Sequence, residues 1–155
     1  MQSGRVMNTF KHIVVPTDFG PASARALELA TTLAKAFDGK ITLLHVWEIP
    51  IYPYMDFMLN SEVITRVEDA AVKHLAGALE VLRKALPNAE SKLKTGPTWQ
   101  SILEVIRELK PDLVVMGTHG RQGISRVALG SVAERVVRLS DAPVLTVHAT
   151  DKPSE

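Results

Sequence analysis

Cysteine is absent from this chain of 155 residues. Its absence excludes disulfide bridges, thiol nucleophiles and cysteine-based zinc sites. An excess of charge of one sign is also lacking, because 18 Lys and Arg are balanced by 17 Asp and Glu. A net charge of +1 gives no electrostatic basis for binding nucleic acid or an anionic membrane. No apolar run is long enough to cross a bilayer.

Several signatures of nucleotide enzymes and hydrolases are missing as well. There is no G-x-x-x-x-G-K-[ST], and therefore no P-loop lysine to reach a transferring phosphate. There is no G-x-G-x-x-G after the first predicted strand and no G-x-S-x-G elbow. The histidines lack the spacing and companion ligands of a metal site. We therefore assign no catalytic residue and no metal site from the protein alone, although Mg²⁺ commonly arrives with a bound nucleotide.

The length fits one domain, which we place at residues 10–148. Residues 1–9 are expected to be a disordered or added extension, and residues 149–155 a flexible tail. Residues 1–8 lack the apolar core of a signal peptide, so we expect a cytoplasmic protein.

Strand and helix patterns alternate along the whole chain. The predicted strands are 10–16, 40–46, 90–95, 113–116 and 143–147, and the predicted helices are 21–37, 61–86, 98–109 and 131–139. Strands separated by helices predict a doubly wound α/β fold with a five-stranded parallel sheet and helices on both faces. Residues 47–60 form a long connection rich in aromatics, Met and Pro. Two interpretations of it stay open, a lid or binding surface and a cover over the sheet end.

A glycine-rich loop joins the fourth strand to the last helix. The apolar run of this strand ends in Gly117, Gly120 follows after two residues, and Gly130-Ser131 follows after nine more. Ser131 is suited to capping the start of the helix. A Cβ-free turn beside a helix N-terminus is a ready site for an anion, most plausibly phosphate. If strand order reverses between the first and fourth strands, the Pro16-Thr17-Asp18 turn lies in the same cleft.

The chain resembles the universal stress protein family, specifically its ATP-binding branch. The resemblance rests on G-x2-G-x9-G-[ST], on the P-T-D turn at residues 16–18, on the L-L-H-V strand and on the closing P-V-L-T-V strand. It covers residues 10–148 nearly completely. It implies a three-layer Rossmann-like fold of the adenine nucleotide alpha hydrolase type, with strand order 3-2-1-4-5.

The resemblance also implies a nucleotide site and a dimer. The implied nucleotide-binding residues are Pro16, Thr17, Asp18, Val46, Met116, Gly117, His119, Gly120, Arg121, Gly130, Ser131 and Val132. Asp18 and Val46 would meet the adenosine, while the glycines and Ser131 would meet the ribose and phosphates. Other roles stay open for several of these residues: the glycines as turn residues only, Asp18 as a helix cap or a loop tie, Ser131 as an N-cap only, His119 as an uninvolved surface histidine and Arg121 as a solvated side chain. The last strand would pair with its copy in a homodimer, centred on Val144, Leu145, Thr146 and Val147.

The expected function is an ATP-binding sensor or regulator in the stress response, which acts through nucleotide occupancy on a protein partner not identified by the sequence. The alternatives are a nucleotide-independent dimeric interaction module and a slow ATP hydrolase. At most a weak ATPase is expected.

Overall fold

Helices and strands alternate from one end of the chain to the other, as the sequence predicts. A computed structural model describes residues 9–49, 61–119 and 129–149. Its strands are β1 (His12–Pro16), β2 (Lys40–Trp47), β3 (Glu90–Thr95), β4 (Leu113–Gly117) and β5 (Val144–Val147). Its helices are α1 (Pro21–Ala36), α2 (Ser61–Ala85), α3 (Thr98–Leu109) and α4 (Ser131–Leu139).

The five strands form one parallel sheet in the order β3-β2-β1-β4-β5. The expected fold class and the expected strand order are therefore confirmed. The chain moves outward from β1 in one direction through β2 and β3, and in the other through β4 and β5. Strand order reverses between β1 and β4, where Ile13 lies beside Leu113 and Val14 beside Val114. In folds of this kind, ligands bind at such a reversal, beyond the carboxyl ends of the strands.

Alternation along the strands divides the core into two layers. Ile13, Val15 and Leu43 are fully buried on the face covered by α1 and α2. Val14 and Leu44 are fully buried on the other face, against α3 and α4. Successive side chains of a strand point to opposite faces, so strands buried on both sides read as continuous apolar runs. This rigid three-layer frame holds the strand ends that form the cleft.

Within the described residues, three residues other than glycine have positive φ angles, and one of them lies in the turn after β1. Phe19 has φ of 61°, in the left-handed region, directly after Asp18. Its ring lies 4.6 Å from the His45 ring and 5.3 Å from the His74 ring, measured between centroids. A bulky residue in this conformation is strained and persists only where its surroundings hold it. Packing of the Phe19 ring therefore helps to fix the turn after β1.

Candidate functional site

A cavity of about 360 Å³ opens at the reversal of strand order. The two sequence features predicted to converge do so, because the turn after β1 and the glycine-bounded end of β4 line the same cavity. Every predicted nucleotide-site residue within the described part lines it: Pro16, Thr17, Asp18, Val46, Met116, Gly117, His119, Gly130, Ser131 and Val132. Gly120 and Arg121 lie outside the described residues.

Asp18 anchors the turn that forms one wall of the cavity. Its Oδ1 accepts hydrogen bonds of 2.8 Å from the Gly20 N–H and from the Ser23 hydroxyl. One carboxylate oxygen of Asp18 therefore ties down the loop after β1, whereas the N-cap of α1 is Gly20. Because Asp18 also lines the cavity, its carboxylate is held in place beside any ligand there.

A second contact fixes the same turn from β2. His45 Nδ1 lies 2.8 Å from the Thr17 carbonyl oxygen. A carbonyl oxygen only accepts, so His45 must carry a proton on Nδ1 and donate it. The Thr17 N–H in turn donates to the Leu44 carbonyl oxygen at 2.8 Å. The turn is therefore tied to the end of β2 through two hydrogen bonds of Thr17.

The start of α4 forms the opposite wall, and here the capping prediction is wrong. The N-cap is Gly130, in an extended conformation with φ −60° and ψ 155°, and no side chain of a described residue caps the helix. Ser131 is instead the first helical residue. The first N–H groups of a helix have no partner within the helix. Ser131, Val132 and Ala133 all line the cavity, so this unsatisfied, partly positive helix end faces it.

The neighbouring helix ends contrast with α4, because each already has a carboxylate. Glu48 Oε1 accepts from the Thr98 N–H at 2.6 Å and from the Thr98 hydroxyl at 2.7 Å, at the start of α3. Asp18 lies beside the start of α1, where its Oδ1 accepts from the N–H of the N-cap residue Gly20. The only acidic residue in the first turn of α4, Glu134, pairs with Arg138 along the helix. Among the described residues, no carboxylate accepts a hydrogen bond at the start of α4, so this helix end is available to an exogenous anion.

Two glycines of the motif are required by the protein itself. A Cβ on Gly117 would lie 2.8 Å from Ala22 Cβ and 2.9 Å from the Ser23 nitrogen, in α1. A Cβ on Gly130 would lie 2.5 Å from the Thr118 carbonyl oxygen. All three distances are shorter than real Cβ contacts allow. Close packing of β4 against α1, and of α4 against the end of β4, explains these glycines before any ligand is considered.

Sequence reasoning missed part of the cavity wall. The residues missed are Ser23, Leu44, Thr98, Ile102, Thr118 and Ala133. Thr118 is the most informative, because it is 1% exposed and joins three elements. Its N–H donates to the Val147 carbonyl oxygen at 3.0 Å and its carbonyl accepts from the Gly130 N–H at 2.7 Å. The sequence could have indicated Thr118 as a cavity residue, because it lies between Gly117 and Gly120 of the glycine motif.

The described residues contain neither a cluster of metal ligands nor a membrane-spanning helix. No group of three or more His, Cys, Asp or Glu is placed to hold a metal ion within residues 9–49, 61–119 and 129–149. No helix in the same ranges combines the length and apolar character needed to span a membrane.

Comparisons with known proteins agree with this geometry. Residues 9–148 match the model of the universal stress protein family. The chain belongs to the universal stress protein family. Membership supports a role in the stress response. The chain is 32% identical over 151 residues to universal stress protein MJ0531 of Methanocaldococcus jannaschii, covering 94% of this chain and 86% of that protein.

Solved structures of this family share the fold. Universal stress protein UspA from Lactobacillus plantarum superimposes with a TM-score of 0.77 at 25% identity, covering 89% of this chain and 97% of that one. A universal stress protein in complex with cAMP superimposes with a TM-score of 0.67 at 26% identity, covering 92% of this chain and 99% of that one. That second relative holds an adenine nucleotide.

Proposed function

We propose that this universal stress protein binds ATP, with Mg²⁺ carried by the phosphates, in the cavity between β1 and β4, and that occupancy regulates its interaction with a protein partner. The observation that carries the proposal is the open N-terminus of α4 at one wall of the cavity. An anion there interacts with unpaired N–H groups and with the positive end of the helix dipole. The complex of a relative with cAMP supports an adenine nucleotide as the ligand class.

The opposite part of the cavity suits the base. Val46, Ile102 and Met116 supply apolar lining, and Met116 is itself 4% exposed. Apolar walls with a few fixed polar groups are typical of pockets that bind small molecules. The Asp18 carboxylate, held by the turn, is the acceptor we assign to the polar edge of the adenosine. We therefore assign the base to the part of the cavity lined by Val46, Ile102 and Met116, and the phosphates to the start of α4.

A substitution at the first residue of α4 tests the phosphate contact directly. Ser131→Pro removes both the N–H and the hydroxyl, yet proline is well tolerated at the first position of a helix. Gly130 already has the extended conformation that a residue before proline prefers. We expect Ser131→Pro to keep the fold and to weaken ATP binding at least about tenfold, the equivalent of one charge-assisted hydrogen bond.

The readout is calorimetric titration of nucleotide-free protein with ATP, AMP and adenosine, with and without Mg²⁺. Ser131→Ala is the matched control, because it removes the hydroxyl and keeps the N–H; we expect a smaller loss of affinity. Adenosine affinity should be similar in all three proteins. Equal ATP affinity for the wild type and Ser131→Pro would contradict the placement of the phosphates at α4. Absence of ATP binding by the folded wild type would leave a nucleotide-independent interaction module as the better account.

We further propose a homodimer formed through β5, on the basis of the difference between the two edges of the sheet. The edge strand β3 carries Lys92 and Lys94, which pair with Glu108 at 2.6 Å and Glu104 at 3.3 Å. Charged edge residues deter pairing with another strand. The other edge, β5, consists of Val, Leu, Thr and Val, and Leu145 is 37% exposed. An uncharged, apolar edge of this kind is stabilised by pairing with a second copy.

Proline substitutions on the two edges provide a matched test. The carbonyls of Pro143 and Val147 bond to β4, so the backbone groups of Thr146 face the free edge. Thr146→Pro should therefore retain the β4–β5 ladder and convert the dimer to a monomer in sedimentation. At the other edge, the Gly96 N–H donates to the Trp47 carbonyl oxygen of β2, so by the same alternation the backbone groups of Ser91 face the free edge of β3. Ser91→Pro should therefore leave the dimer intact. A wild-type monomer, or a dimeric Thr146→Pro variant, would refute pairing through β5.

A further inference from the structure

The buried hydroxyl of Thr118 contacts two imidazole rings at once. Its Oγ1 lies 3.1 Å from His119 Nδ1 and 3.0 Å from His148 Nδ1. His119 lines the nucleotide cavity, whereas His148 follows β5 and lines a separate groove beside α1. Because Thr118 is fixed through both of its backbone groups, the hydroxyl is held between the two rings.

The single proton of the Thr118 hydroxyl limits the tautomers that His119 and His148 can adopt. A threonine hydroxyl has one proton to donate and oxygen lone pairs that accept. It can therefore donate to only one of the two Nδ1 atoms, so the other must carry a proton to make its own hydrogen bond. If His119 Nδ1 accepts from Thr118, His148 Nδ1 must donate to Thr118. The tautomers of the two histidines are thus coupled through one hydroxyl.

The other nitrogen of His119 has no hydrogen-bond partner in the part of the chain that the structure describes. His119 Nε2 is buried and makes no hydrogen bond with any described residue. An unsatisfied buried polar atom costs about 1–3 kcal/mol, which a ligand in the cavity would recover. A phosphate oxygen only accepts, so neutral His119 can serve it only as the Nε2–H tautomer. In that tautomer Nδ1 is unprotonated and accepts from Thr118.

We propose that His119 donates its Nε2–H to a phosphate oxygen of the nucleotide, and that Thr118 and His148 are positioning residues that select this tautomer. The inference rests on the proposed nucleotide site and adds a phosphate contact with its supporting relay. His148 donates to the Thr118 hydroxyl, the hydroxyl donates to His119 Nδ1, and His119 Nε2 faces the ligand.

The tautomers are read from ¹⁵N–¹H spectra of the full chain labelled at histidine, recorded at pH 8, where ordinary imidazoles are neutral. With ATP bound, His119 should be the Nε2–H tautomer and His148 the Nδ1–H tautomer. Thr118→Val should release His148 from that tautomer. Thr42→Val is the matched control, because it removes the hydroxyl 2.8 Å from His12 Nε2 at the other end of the sheet. An Nδ1–H tautomer for His119 in the ATP complex would overturn the relay.

Affinity provides a second test, which separates positioning from general structural damage. His119→Ala should weaken ATP binding about 10- to 100-fold and Thr118→Val about 3- to 10-fold, with little change for adenosine. His119→Gln keeps a side-chain donor that has no tautomer to select. In that background Thr118→Val should cause no further loss, whereas a purely structural role would lower affinity in both backgrounds.

The two proposals fail differently. Folded wild-type protein that binds no ATP would refute the nucleotide site and the relay together. Wild-type protein that binds ATP normally, with unchanged affinity in Thr118→Val and His148→Phe, would refute the relay and leave the nucleotide site standing.

Discussion

Gly130→Ala is expected to destabilise the protein even in the absence of nucleotide. The added Cβ would lie 2.5 Å from the Thr118 carbonyl oxygen, where real Cβ contacts essentially never fall below 3.0 Å. The start of α4 must therefore move by at least about 0.5 Å, the difference between these distances. That movement strains the hydrogen bond of 2.7 Å from the Gly130 N–H to Thr118. Overpacking of this kind typically costs about 1–3 kcal/mol.

The same substitution at Gly77 serves as the control and has the opposite sign. Gly77 lies inside α2, and a Cβ there would have nothing within 4 Å. Alanine favours a helix interior over glycine by about 0.8–1.0 kcal/mol, so Gly77→Ala should stabilise the protein. Urea unfolding of nucleotide-free wild type and both variants measures the two effects. A Gly130→Ala variant as stable as the wild type would refute the packing explanation and return this glycine to a purely ligand-binding role.

Two further predictions concern groups outside the cavity wall. Burial, followed by the charge of Lys40, lowers the pKa of His12 below its usual 6.5. The folded state therefore disfavours protonated His12, and the free energy of unfolding should fall as the pH drops below about 6.5 and through the folded pKa. Urea unfolding from pH 7 to 5 measures this dependence, and His12→Gln should reduce it. Glu48→Ala leaves the Thr98 N–H without its acceptor, so it should lower the stability of the protein by about 1 kcal/mol, measured by thermal unfolding in a calorimeter. An unchanged melting temperature would contradict the capping role of Glu48.

Local signals were enough to predict most of the fold. The bounds of β3, α3 and α4 match the sequence prediction, and the other elements differ at their ends by one or two residues. Pro97 and Pro21 mark helix starts, and Gly39 follows the end of α1, because these residues restrict or release the backbone locally. Strand order depends on contacts between residues far apart in sequence, so it was predicted from the family resemblance and not from the periodicity of the sequence.

The site was predictable in membership and less so in its internal contacts. The motif and the P-T-D turn identified residues that line one cavity. The reason for Gly117 lies in α1, where Ala22 and Ser23 leave no room for a Cβ, and such distant packing has no sequence signature. The cap that Glu48 provides for Thr98 is likewise a contact between residues far apart in sequence. Ser131 was misassigned because Gly130, which has no side chain to cap with, occupies the N-cap position instead.

The central claim is that the open end of α4 receives the nucleotide phosphates, and backbone amide spectra test it most directly. Adding ATP and Mg²⁺ to ¹⁵N-labelled, nucleotide-free protein should shift the amide signals of Ser131, Val132 and Ala133. The amide of Asp112, at the opposite end of the sheet, should stay unchanged. Saturating ATP that leaves the α4 amides in place, or that shifts only signals around the groove beside His148, would contradict the account.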